Sequence, residues 1–266
     1  MKIAFVCVNY NNSKITQEYI LNVLALKQHH DLKIIVVDNA SESNDVKQLS
    51  AYVDQINKDQ VVLIKSDSNL GYFKGLNLGI KWALEKGYNQ YQVVGNNDLM
   101  FYPDFINNLE GLSISKGDMV LAPDVITIDK IHENPHVIHK MSFFRKLKYK
   151  IYFSNYYLAK LITQFYSAER KPKAFDPEAK YIYMGIGALY VLTPHFFSHF
   201  NSLWGDVFLY GEEAVLTGQV NSVGGKIWYE PSLKCDHNES ASTSKIGSKT
   251  KYKIIQNSYR IYKKYL

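Results

Sequence analysis

IAFVCVNYNN, residues 3–12, decides the architecture: an apolar run reads as a strand and then passes straight into Asn9, Tyr10, Asn11 and Asn12. A short unbroken apolar run suits a strand buried on both faces, as in a parallel sheet flanked by helices. The polar residues mark where such a strand leaves the core.

The same unit recurs along the chain. Residues 14–28 read as helix, KIIVV (33–37) as strand, 44–57 as helix and VVLI (61–64) as strand. Phe73, Leu76, Ile80, Ala83 and Leu84 then return at helical spacing, Gly87 makes a C-terminal stop, and YQVVG (91–95) is the fourth strand. Alternation of this kind over residues 1–122 predicts parallel β-α units. In such sheets ligands collect beyond the carboxyl ends of the strands. Here those ends are Asn9-Tyr10-Asn11-Asn12, Asp38-Asn39-Ala40-Ser41, Ser66-Asp67-Ser68-Asn69-Leu70-Gly71 and Asn96-Asn97-Asp98. Polar ends in succession predict one shared cleft.

After DMVLAP (118–123) the regularity weakens, and 134–175 reads as an insertion dense in Lys, Tyr and Phe. YIYMGIGALYVL (181–192) is strand-like around Gly185 and Gly187. A short segment after Pro194, the acidic stretch Tyr210-Gly211-Glu212-Glu213, a strand near KIWYEP (226–231) and the polar run CDHNESAST (235–243) complete the chain.

Composition sets the outer bounds. A chain of 266 residues with 46% apolar and 14% aromatic content can build a sizeable core, which excludes a disordered chain. No apolar run approaches the roughly 20 residues of a membrane-spanning helix, and the start turns polar too early for a secretory signal. A soluble or peripheral protein is expected. Cys7 and Cys235 have neither zinc-site nor disulfide-framework spacing, which favours a reducing cytosol. The net charge of +6 is uneven: residues 139–173 hold nine Lys/Arg against Glu169 alone, and residues 243–266 hold seven with no acid. The basic character is therefore local.

Each candidate has a plain reading and a chemical one. Asn69-Leu70-Gly71, followed by Asn77 and Gly79, gives either an ordinary strand-to-helix turn capped by Asn69 or an anion site at a helix N-terminus. Asp98 caps a turn or binds a hard divalent cation that bridges phosphate oxygens. His237, placed after the last strand, is a surface histidine or a second ligand; with Cys235 and Asp236 alone a zinc cluster is under-supplied. Glu212 and Glu213 either complement a helix dipole or include a general base. KYKIIQNSYRIYKKYL at the C-terminus makes an amphipathic helix through Tyr252, Ile255, Tyr259, Tyr262 and Leu266. Its apolar face packs on the core or docks at an anionic membrane, and the basic aromatic segment 139–173 favours the membrane. No nucleic-acid recognition motif is present, so no nucleic acid is expected as partner.

Taken in order, VNYN (8–11), IIVVDNAS (34–41), NLGYFKGLNLG (69–79), NND (96–98), GIGA (185–188), YGEE (210–213) and His237 resemble the family 2 glycosyltransferases. The resemblance implies a GT-A fold: a Rossmann-like α/β nucleotide-binding domain with a mixed central sheet, an acceptor-binding region and a C-terminal helical tail. It implies that Asn9, Tyr10 and Asn11 line the nucleotide pocket, that Asp38 and Asn39 read the base, that Asn69, Gly71 and Asn77 sit near the ribose and phosphates, and that Asn96 and Asn97 also belong to the nucleotide site. Asn96-Asn97-Asp98 is similar to the family's D-x-D motif, with Asp98 the ligand of Mn²⁺ or Mg²⁺ and His237 completing the metal site. The family's pattern ends in Glu-Asp, whose second acid is the base; Glu213 stands there, one methylene longer, which leaves Glu212 as the other candidate.

The expected division is 1–122 for the nucleotide-sugar half, 123–240 for the acceptor and catalytic-base half with its insertion, and 241–266 for the tail. The expected reaction is inverting transfer from a nucleotide-diphosphate sugar, a UDP-sugar ahead of dTDP-rhamnose, to a glycan or lipid-linked saccharide. The expected location is cytoplasmic, peripheral on the inner face of the cell membrane. A nucleotidyltransferase would want a Gly-rich basic loop after strand one, and VNYNNSK (8–14) has no Gly. A non-catalytic nucleotide-sugar binder is the remaining alternative.

Overall fold

The computed structural model describes residues 1–26, 31–56, 59–165, 173–238 and 248–266. Within them the alternation continues as read: β1 (Lys2–Asn9), α1 (Ser13–Ala25), β2 (Asp31–Asp38), α2 (Ser43–Gln55), β3 (Val61–Lys65), α3 (Tyr72–Glu85) and β4 (Tyr91–Asn96). The expected ends of the first two helices, at 27–28 and 57, lie outside the described residues. A two-residue turn then leads to β5 (Leu99–Phe101), α4 (Phe105–Gly111) and β6 (Asp118–Thr127). The insertion holds α5 (Phe143–Tyr152) and α6 (Tyr156–Phe165), of which residues 166–172 are not described. Next come β7 (Lys180–Ile182), β8 (Leu189–Leu192), α7 (Pro194–Phe197), α8 (Glu212–Asn221), β9 (Lys226–His237) and α9 (Ser248–Tyr262).

The described strands make one sheet in the order β3-β2-β1-β4-β8-β6-β9-β5, with β7 beside β9. The pairs β1·β2, β1·β4 and β2·β3 are parallel, whereas β8 runs antiparallel to both β4 and β6. This is a mixed sheet whose parallel half carries the β-α units. β6 crosses residues 122 and 123, so the two expected halves share a single sheet.

Both faces are covered, which is why the central strands are apolar throughout. Ile3, Phe5 and Cys7 point to a core with Tyr19, Ile20 and Val23 of α1, Leu49 of α2 and Phe105 of α4. Ala4 and Val6 point the other way, toward Phe73, Leu76 and Ile80 of α3 and Leu216 and Val220 of α8. Cys7 and Cys235 are both free and buried.

The structure alters two local readings and decides a third. Strand character in 181–192 is broken, because residues 183–188 leave the sheet between β7 and β8. Met184 bridges Val137, and the amide of Ile186 donates to Asn134 Oδ1 at 2.9 Å, which ties this Gly-rich loop to the start of the insertion. His237 does not follow the last strand but ends it: β9 continues past a register shift and pairs His237 with Leu99 of β5 and Thr127 of β6. The third concerns the C-terminal helix. Tyr252, Tyr259, Tyr262 and the terminal Leu266 are buried, so its apolar face packs on the chain's own core.

Candidate active site

The carboxyl ends of β1, β2 and β4 meet in one hydrogen-bond network. Asn9 is fully buried, and its amide nitrogen lies 2.9 Å from Asp38 Oδ1, 3.1 Å from Ser41 Oγ and 2.8 Å from Asp45 Oδ2. Thr16 donates to Asn9 Oδ1 at 2.8 Å and accepts from Asn97 Nδ2 at 2.7 Å. Burial alone would raise the pKa of Asp45, yet hydrogen bonds from Asn9 and from the Ser13 backbone and side chain hold it below the usual carboxylate range. Tyr10 and Asn11 stand exposed at the mouth of this network, and the Asn11 side chain caps the amide of Glu42 at 2.7 Å.

Asn39 organises the neighbouring loop. Its Nδ2 donates to Asn69 Oδ1 at 3.1 Å and to the Gly71 carbonyl at 3.0 Å, while its Oδ1 accepts from the Leu70 amide at 2.9 Å. Gly71 has φ +81°, and a Cβ there would stand 2.3 Å from the Phe208 carbonyl oxygen, so only glycine fits. Asn77 bonds the backbone of Leu203 twice, each at 2.8 Å. Asn9, Asn39, Asn69 and Asn77 therefore brace the walls, and any direct bond to a nucleotide would require them to exchange these partners.

Asp98 and His237, 139 residues apart in the chain, come together because β5 pairs with the end of β9. His237 Nε2 lies 3.4 Å from Asp98 Oδ1 and 3.2 Å from Asn96 Nδ2, while its Nδ1 lies 3.0 Å from Glu133 Oε2. Burial alone would disfavour the imidazolium, but the hydrogen bonds and charges of Asp98 and Glu133 outweigh it and raise the pKa to about 10. A divalent cation between Asp98 and Nε2 would take the place of that proton, with Glu133 orienting the ring from behind. Among the described residues no group of three or more His, Cys, Asp or Glu side chains is arranged to hold an ion unaided. The two ligands suit a hard cation that completes its shell with substrate oxygens and water, so the residues fit Mg²⁺ or Mn²⁺ in that way only.

The acidic pair sits on a strained turn. Tyr210 and Gly211 have φ +68° and +92°, consecutive left-handed residues that reverse the chain into α8 and set both carboxylates at its N-terminus. A Cβ on Gly211 would stand 2.1 Å from the Tyr262 ring, so α9 closes directly over this turn. Glu212 is buried, and burial, then the charge of Glu213, pushes its pKa up to about 8. Glu213 is also raised by burial; its side chain keeps some contact with solvent, and its carboxylate faces Gly187. Tyr72 joins the two centres: its hydroxyl donates to the Gly187 carbonyl at 3.2 Å, and its own pKa is raised by burial and by the charges of Glu212, Asp98 and Glu213.

Glu133, Thr16, Asp45 and Tyr72 escaped the sequence reading as individual site residues. Tyr72 lies inside the NLGYFKG motif, which could have singled it out. Glu133 lies in irregular chain, and only its contact with His237 reveals it.

The family model described as glycosyl transferase family 2 matches residues 5–173, and the chain belongs to that family. A search of curated proteins finds no match. Among solved structures, the mannosyltransferase PcManGT of Pyrobaculum calidifontis, in complex with GDP-Man and Mn²⁺, is similar at 14% identity and TM-score 0.56, over 91% of this chain and 58% of that one. GalNAc-T7 with UDP, GalNAc and Mn²⁺ is similar at 11% identity and TM-score 0.56, over 90% of this chain and 44% of that one. TarS 1–349 of S. aureus with UDP-GlcNAc is similar at 14% identity and TM-score 0.53, over 93% and 62%. The chain thus spans less than two thirds of these relatives, and the likeness is one of fold: the mixed α/β architecture of GT-A glycosyltransferases.

Proposed function

We propose that the chain transfers a sugar from a nucleotide-diphosphate donor to a hydroxyl of a glycan or lipid-linked saccharide, with inversion at the anomeric carbon. The observation that carries this reading is the pairing of two centres at one end of the sheet. Asp98 and His237 stand 3.4 Å apart on one side, Glu212 and Glu213 open α8 on the other, and Tyr72 with Gly187 lies between them.

Residues 1–122 supply the nucleotide-sugar half, 123–240 the acceptor and base half, and 241–266 the tail. Tyr10 and Asn11 face the nucleotide, and the strand-end network of Asn9, Asp38, Asn39 and Asn97 holds its pocket in shape; Asn69, Gly71 and Asn77 fix the loop and helix behind the phosphates. Asp98 and His237 would hold Mn²⁺ or Mg²⁺, which would supply Lewis-acid stabilisation of the leaving diphosphate. Asn96, whose side-chain nitrogen lies 3.2 Å from His237 Nε2, would give up that contact to a bound cation. Glu213 takes the proton of the acceptor hydroxyl as that oxygen attacks the face opposite the leaving group. Glu212, held protonated by burial, spares Glu213 a second negative neighbour. A UDP-sugar ranks first as donor and dTDP-rhamnose second.

A donor panel assayed for transfer and slow hydrolysis, with and without Mn²⁺ or Mg²⁺, tests the reading. Turnover that requires the cation and is lost in Asp98→Ala and Glu213→Gln is the expected result. Nucleotide-sugar binding without turnover across the panel would replace the transferase with a non-catalytic binder.

A further inference from the structure

Helix α5 buries no residue at all. Phe143 and Phe144 are 73% and 75% exposed, and Leu147 and Ile151 continue the Phe143 row at intervals of four, so they share one helical face. On α6, Tyr157 and Leu161 repeat the arrangement, both exposed and four residues apart. A contiguous apolar edge of this kind marks an interaction surface.

The hairpin is firmly seated from behind. Phe153 stacks on Tyr259 with ring centroids 4.6 Å apart, Tyr252 donates its hydroxyl to the Tyr152 carbonyl at 2.9 Å, and Gln256 Nε2 donates to the Phe153 carbonyl at 2.7 Å. The apolar face of α9 is consumed by these contacts. The helix that the sequence alone offers for a membrane therefore serves as the base on which another element is presented.

Charge selects the occupant. Described residues 139–165 contain six Lys/Arg and no Asp or Glu, and residues 248–266 again contain six with none. A second copy of the chain would bring the same positive field against itself, and a nucleic acid would leave the phenylalanine edge uncovered. A bilayer with anionic headgroups meets both needs, with hydrocarbon for Phe143, Phe144 and Leu147 and phosphates for the surrounding lysines. No described helix is long and apolar enough to cross a membrane, so the contact lies at the interface.

We propose that the α5–α6 hairpin docks the chain on an anionic lipid bilayer, with its aromatic edge at headgroup depth and α9 as its supporting layer. The proposal rests on the transferase reading only for its acceptor: α9, which supports the hairpin, also closes over Gly211 through Tyr262, next to the turn that carries Glu213. Its test requires no transfer.

Flotation of the full chain with phosphatidylcholine vesicles, with and without phosphatidylglycerol, reads it directly. Binding is expected only with the anionic lipid, and it should weaken as salt rises. Phe143→Ser/Phe144→Ser/Leu147→Ser should lower the bound fraction about tenfold or more, as should Lys146→Glu/Lys148→Glu/Lys150→Glu. Because these side chains are exposed, or for Lys146 only partly covered, the thermal melts of both variants should match the parent. Equal flotation of parent and variants, or no preference for anionic vesicles, would overturn the proposal. So would a dimer on size-exclusion chromatography that the serine variant abolishes while no vesicles bind. Donor hydrolysis on the same preparations keeps the two readings apart: flotation without hydrolysis leaves the docking surface standing and removes the transferase.

Discussion

Glu133 lies 3.0 Å from Nδ1 of His237, and that contact turns the other ring nitrogen toward Asp98. If the pair holds a cation, Glu133 is a positioning residue that acts through the histidine. Glu133→Ala should raise the Mn²⁺ concentration for half-maximal donor hydrolysis by about 10- to 100-fold, with kcat at saturating metal much less affected. A metal titration of parent and variant checks this. An unchanged midpoint would remove Glu133 from the metal site.

The two acids of α8 should separate in kinetics. Glu213→Gln should lower kcat by about 10²- to 10⁴-fold, the usual worth of a general base, with little change in donor affinity. Glu212→Gln should cost far less, because the amide replaces a carboxyl that is already protonated at neutral pH. The reverse order, measured as initial rates with saturating donor, would transfer the role of base to Glu212.

Glu212 also makes a pH prediction. Its folded pKa of about 8 stands above the ordinary 4.5, so the unfolded chain gives up this proton first. The group's contribution is fully present below about 4.5 and is lost as pH rises through about 8. Glu213, Tyr72, Tyr190 and Tyr262 surround it, and none is a cation. Glu212→Gln should therefore gain on the order of 3–4 kcal/mol over the parent between pH 5 and pH 8 in urea melts. Parallel pH profiles would show that the carboxyl is not held protonated.

Asn9 distinguishes a braced wall from a ligand contact. Asn9→Ala would strand the buried side of Asp38 and the Thr16 hydroxyl, and should destabilise the fold by about 2–4 kcal/mol. Chemical denaturation measures this without substrate. A variant of parental stability with a raised KM for donor would instead make Asn9 a direct nucleotide contact.

Gly211→Ala should cost about 2–4 kcal/mol, from the left-handed φ together with the overlap on Tyr262. The double variant Gly211→Ala/Tyr262→Ala removes the overlap and keeps the backbone strain. Its destabilisation, measured by urea melts, should be smaller than the sum of the two single changes. Strict additivity would mean that the ring and the turn are not coupled.

The alternation of apolar strands and helical spacing, from IAFVCV to YQVVG, sufficed to predict the parallel half of the sheet and the polar strand ends, because period and turn chemistry are local. The order of motifs was enough to reach the family. What the sequence left open depended on contacts between distant segments. Asn9 and Tyr10 are adjacent, yet one is sealed inside a network with Thr16 and Asp45 while the other faces solvent, and only the packing of α1 and α2 on β1 separates them. The C-terminal helix was legible as amphipathic, but whether its apolar face met lipid or protein was decided by Phe153 stacking on Tyr259. Glu133 had no local signature, since its position becomes meaningful only when β9 runs on past its register shift and delivers His237 beside it. Local periodicity fixes which residues can be buried; the partners that bury and charge them come from the far side of the sheet.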